Sequence, residues 1–82
     1  MEKFKITEKA RANIKNTIRG HISLRGKTLK DVALLLNKYH DRSPNPNSLA
    51  DRVRTGLIRY AEVLEIADVL GYKLEWVEKD EK

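Results

Sequence analysis

"SPNPNSLADRVRTG", residues 43–56, is the stretch on which the fold turns. Each of its two prolines pushes the residue before it out of helical conformation, so the chain must turn here. The second half alternates charged with apolar residues and stops at Gly56, the usual left-handed stop of a helix. Asn45 has the side chain of an N-cap, and Pro46 suits a first helical turn, where a missing N–H costs nothing. Asn47 and Ser48 have capping chemistry as well. Projected at about 100° per residue, Leu49, Ala50, Val53 and Gly56 fall on one side and form the packing face. Asn47, Ser48, Asp51 and Thr55 point the other way, with Arg52 and Arg54 on the flanks.

On the N-terminal side lies "KTLKDVALLLNKY", residues 27–39. Thr28 followed by Asp31 is close to a capping box, and Leu29, Val32, Ala33 and Leu36 keep the spacing of a buried helical stripe. Leu34 and Leu35 make this helix apolar almost all round, which favours core. Further upstream, Thr7 is an N-cap candidate, and Ala10, Ile14, Ile18 and Ile22 draw a single stripe. Gly20 interrupts it, so this helix ends near Arg19 or runs on to Arg25 before Gly26. His21 lies beside the stripe and reads as a half-buried packing residue.

On the C-terminal side, "RYAEVLEIADVLG", residues 59–71, predicts a fourth helix. Its stripe is Tyr60, Leu64, Ala67 and Leu70, widened by Val63 and Ile66 and closed by Gly71. Glu62, Glu65 and Asp68 read as a solvated polar row. "YKLEWVE", residues 72–78, changes to a period of two and predicts a short strand with Tyr72, Leu74 and Trp76 on one face. A lone strand needs a backbone partner. The two candidates are residues 3–6, "KFKI", and the same strand of a second copy. Residues 79–82 are expected to fray.

The chain has 82 residues and no cysteine, which excludes a disulfide framework or a thiolate metal site. A single domain spanning 1–82 is expected, burying only about 60–65% of its unfolded surface. His21 and His40 lack acidic residues at ligand spacing, so no metal site is expected. Neither a signal peptide nor a membrane span is visible, and the expectation is a cytoplasmic protein. The formal net charge is +5. Residues 1–59 carry fourteen Lys or Arg against five acids, whereas 60–82 carry three against seven. A basic body with an acidic tail is a common footprint of a polyanion binder. No nucleophile and base pairing, glycine-rich phosphate loop or cofactor motif suggests itself, so no catalysis and no cofactor are expected.

The stretches "GKTLKDVALLL" (26–36), "SLADRVRTG" (48–56) and "EVLEIADVLGYKL" (62–74) together resemble the Cro/CI-type helix-turn-helix family of bacterial and phage regulators. They match its glycine before a capped helix with a buried alanine, its recognition helix ending at glycine, and its Ile-Ala then Leu-Gly in a fourth helix. The resemblance implies an all-α, compact four-helix, lambda-repressor-like domain, carrying here the short C-terminal strand. It implies a repressor-like transcription regulator that places the third helix, about 46–55, in the major groove of double-stranded DNA, associated with the nucleoid. The turn over 37–47 is longer than the family's, and Leu29 stands where the family favours a phosphate-gripping glutamine.

Small hydrogen-bonding side chains flanked by cations suit a groove-reading helix. Asn47, Ser48, Asp51, Arg52 and Thr55 are the candidate base contacts. Thr28, Lys30, Lys38, Arg42, Arg54 and Arg59 are the candidate phosphate contacts. A homodimer through Tyr72, Leu74 and Trp76 is expected, because one such helix reads only a few base pairs. The rival is a protein-interaction module or antitoxin on the same scaffold, using the proline-stiffened loop and the Leu34 edge.

Overall fold

A computed structural model describes residues 7–80. Four helices follow in order: α1 (Glu8–Leu24), α2 (Leu29–His40), α3 (Pro46–Thr55) and α4 (Tyr60–Val69). Among the described residues no strand forms. The expected strand at 72–78 is therefore absent, and its pairing with residues 3–6 lies outside the described residues. The reason is visible in the backbone. Tyr72 N–H donates to the Ala67 carbonyl, 2.8 Å, closing α4, and beyond it no described backbone group offers a ladder.

Local chemistry sets the helix ends. The Thr7 hydroxyl accepts from the Ala10 N–H, 3.1 Å. At α2 the box is complete: Asp31 N–H donates to the Thr28 hydroxyl and Thr28 N–H donates to the Asp31 carboxylate, 2.9 Å. Hydrogen bonding from Thr28, first of all its backbone N–H, holds the Asp31 carboxyl below its ordinary range. Asn45 caps α3 by accepting from the Asn47 N–H, 2.9 Å, with Pro46 as the first helical residue. The helix whose end Gly20 left undecided takes the longer course, to Leu24.

Ile18, Ile22, Val32, Ala33, Leu36, Leu49, Val53, Ile66 and Leu70 form the core. Helix α3 packs on both α1 and α2, and α4 packs on α2. Gly56 ends α3 with φ +73°, and a Cβ there would stand 3.0 Å from the Arg11 Cα. Close approach of α1 and the left-handed backbone therefore both demand glycine.

The stripe expected on α4 is rotated. Tyr60 and Leu64 are exposed, whereas Glu62, Ile66, Ala67 and Leu70 are buried. Position 62 is one turn before Ile66, so it shares the inward face. Leu34 is also exposed rather than core, since α2 has partners on only part of its circumference. His21 is exposed, its ring centre 4.8 Å from that of Tyr72 in an edge-to-face arrangement. No described helix is long and apolar enough to cross a membrane.

Candidate nucleic-acid interface

Burial of Leu49 and Val53 turns the opposite side of α3 outward. Asn47, Ser48, Asp51 and Arg54 are exposed there, and Thr55 is half-buried. The Thr55 hydroxyl donates to the carbonyls of Asp51, 3.0 Å, and Arg52, 3.3 Å, and accepts from the Leu57 N–H. The hydroxyl proton is thereby engaged at the helix end, which leaves a lone pair as its outward-facing group. Asn47 spends its backbone N–H on the cap, and its side-chain amide bonds to no described residue.

Two arginines of α3 have different surroundings. Arg54 pairs with Asp51 one turn away, and both side chains are about two-thirds exposed, 64% and 66%. Arg52 instead reaches across to α4. Its Nε and Nη2 donate to the two oxygens of Glu62, 3.0 and 2.6 Å, and its Nη1 donates to the Ser48 hydroxyl, 2.8 Å. Only 6% of the Glu62 side chain is exposed. A buried carboxylate requires such pairing, because unpaired it would lose its hydration without compensation. The Glu62 carboxylate thus occupies the groups with which Arg52 was expected to contact a base.

The turn is held in the same way. Asp41 takes a left-handed conformation, φ 57°, at the end of α2, and the Asn37 amide donates to the Arg42 carbonyl, 2.7 Å. Arg42 Nε and Nη2 donate to Glu65, 2.7 and 2.9 Å. Hydrogen bonding to Arg42 holds the Glu65 carboxyl below its ordinary range, and the same bond raises the Arg42 guanidinium. His40 Nε2 lies 3.0 Å from Asp68 Oδ2. The acids Glu62, Glu65 and Asp68, expected to serve only solvation, therefore tie α4 to α3, the turn and the end of α2. One signal in the sequence pointed that way: Glu62 lies in register with Ile66 and Leu70.

Arg42, Ser43, Arg52, Arg59 and Glu62 line one cleft on the Arg52 flank of α3. Arg59 precedes the first turn of α4, which has no side-chain cap, and makes no ion pair with a described residue. Thr28 and Lys30 stand together at the start of α2, beside Arg19 and Lys27, in a second open cleft. Lys38 lies apart from both clefts, its ammonium 5.2 Å from the Tyr39 ring centre. Ser43, Arg19 and Lys27 were not singled out in the sequence, since nothing local distinguishes them from other polar surface residues.

No cluster of metal-ligating side chains occurs among the described residues. Tyr72 is half-buried, with the Arg25 guanidinium 4.1 Å from its ring centre. Leu74 and Trp76 are exposed, Trp76 to 90%. Comparison of the chain with protein-family models, with curated proteins and with solved structures gives no match.

Proposed function

We propose that the protein binds double-stranded DNA sequence-specifically as a small transcription regulator of Cro/CI type, with α3 in the major groove. The observation that carries this reading is the outward face of α3. Asn47, Ser48, Asp51 and Arg54 project from a helix whose other face is seated in the core. Amides and hydroxyls read base edges, and an arginine takes guanine or a phosphate. Asp51 would accept from cytosine N4 or orient Arg54. Lys30 and Thr28 on one side, and Arg59 on the other, supply phosphate contacts. A second copy docks through Tyr72, Leu74 and Trp76, giving a nucleoid-associated homodimer that reads two half-sites.

Selection of bound duplexes from a random pool tests this reading. The expected result is a defined, two-fold symmetric site bound with an affinity that falls steeply with salt. Absence of duplex binding at low salt sinks it.

One observation favours a second reading, a protein-interaction module or antitoxin. Two clefts that share Thr17, Ile18 and Val63, between α1 and α4, expose mainly apolar surface despite Asn13, His21 and Lys73 at their margins. Apolar grooves of this kind suit protein partners. In that case duplex affinity is weak and without sequence preference.

A further inference from the structure

We infer that Glu62 and Glu65 are positioning residues for DNA reading, holding Arg52 and Arg42 as struts that set the pose of α3 and its turn and orient the Ser48 hydroxyl. The inference rests on the duplex-binding reading and changes which residues read within it. Three features carry it.

The first is the row itself. Positions 62, 65 and 68 recur along one side of α4, and their partners come in turn from α3, the turn and the end of α2. One helix thus holds every segment of the helix-turn-helix unit. Both arginines are bidentate, and a planar guanidinium fork locked on a carboxylate fixes orientation as well as distance. A five-residue turn with no regular structure needs such a fixture to present α3 at one angle.

The second is burial. With its side chain 6% exposed, Glu62 cannot rehydrate if Arg52 swings out to a base. Delivery of Arg52 to DNA would strand a buried carboxylate beside a polyanion. Arg54 pays no such penalty, because its partner Asp51 is exposed. Base reading therefore passes from Arg52 to Arg54, Asn47 and Ser48.

The third is the Ser48 hydroxyl. Its oxygen accepts from Arg52 Nη1, so its own proton is left to donate outward. Held this way, Ser48 suits an acceptor on a base edge, such as guanine O6 or N7 or thymine O4. The carboxylate of Glu62 therefore acts on the base through Arg52 and then Ser48.

The test begins with the duplex selected by the wild-type protein. Glu62→Gln is expected to lower affinity for that duplex about tenfold, as for loss of one good base contact, and to relax preference at one position per half-site while non-specific binding persists. Restoring the pair with reversed polarity, Arg52→Glu with Glu62→Arg, is expected to recover the wild-type salt slope and the preference at every position except the one Ser48 reads, because a glutamate at position 52 accepts the Ser48 proton that Arg52 leaves free. If Arg52 instead contacts DNA, the reversed pair stays defective, and the salt slope falls by about one if the contact is to a phosphate. Either result overturns the inference.

A measurement on the unaltered protein guards against misfolded variants. The Arg52 Nε–H resonance is expected to stay protected and bonded to Glu62 when duplex is added. Its release on binding overturns the strut. Failure of the wild-type protein to bind any duplex overturns the DNA reading itself, an outcome distinct from a failed reversed pair.

Discussion

Arg52 and Arg54 are the same residue type, two positions apart on one ten-residue helix, yet the fold gives them opposite employment. Arg52 bridges to the buried Glu62, while Arg54 stands on the surface with Asp51. A shift of about 200° around the helix separates a cross-link from a hand free to touch a ligand. Charge type alone says nothing of this, because a guanidinium serves both purposes. What decides is whether the carboxylate within reach is buried.

That contrast can be broken. Arg52→Ala should cost about 2 kcal/mol of stability, below the roughly 3–5 kcal/mol of a fully buried pair because Arg52 is itself 36% exposed. Urea unfolding by circular dichroism measures it, and a loss below about 0.5 kcal/mol would contradict the strut. Gly56→Ala is expected to cost a similar amount, ~1–2 kcal/mol from left-handed strain together with the Arg11 contact. Its unfolding midpoint should fall although the outward face of α3 is untouched. An unchanged midpoint would mean that α1 is not seated against the end of α3.

Acid gives a third handle. The Glu65 and Asp31 carboxyls are both held below their ordinary range. Their contribution to stability is therefore present above the unfolded carboxylate range, near pH 4, and is lost as pH falls through the lower folded values. The unfolding midpoint should drop below about pH 5. In Glu65→Gln that drop should be shallower, and an identical acid limb would show that the Arg42 pair does not form in solution. The smallest expected effect on stability is that of Arg54→Ala, within about 0.5 kcal/mol of wild type, as for an exposed ion pair. The same variant should lose about tenfold in duplex affinity. A large stability loss with unchanged binding would reverse the assignment of the two arginines.

Much of the helical framework was legible because its signals are local. Thr28 with Asp31, and Asn45 with Pro46, are caps that operate within a single turn, and the Val32, Ala33, Leu36 stripe needs only its own periodicity. The fourth helix was less legible. Tyr60 and Leu64 have apolar side chains that fit a stripe, yet Glu62 took an inward position because Arg52 met it there. The tail misled for a related reason. Alternation in "YKLEW" satisfies the pattern of a strand, but a strand is defined by a partner's hydrogen bonds, and none is present among the described residues.

The sequence by itself determined where the helices start, where α3 stops, the packed face of α3 and the basic balance of residues 1–59. These follow from side-chain capping, hydrophobic period and charge, all properties of neighbouring residues. Only the tertiary structure decided that Arg52 and Arg42 are engaged by α4, that Glu62 is buried, and that Trp76 stands in solvent. Those pairings depend on which surfaces meet across 10 to 23 residues of chain. No local rule fixes that meeting, since it is settled by the joint burial of four helices.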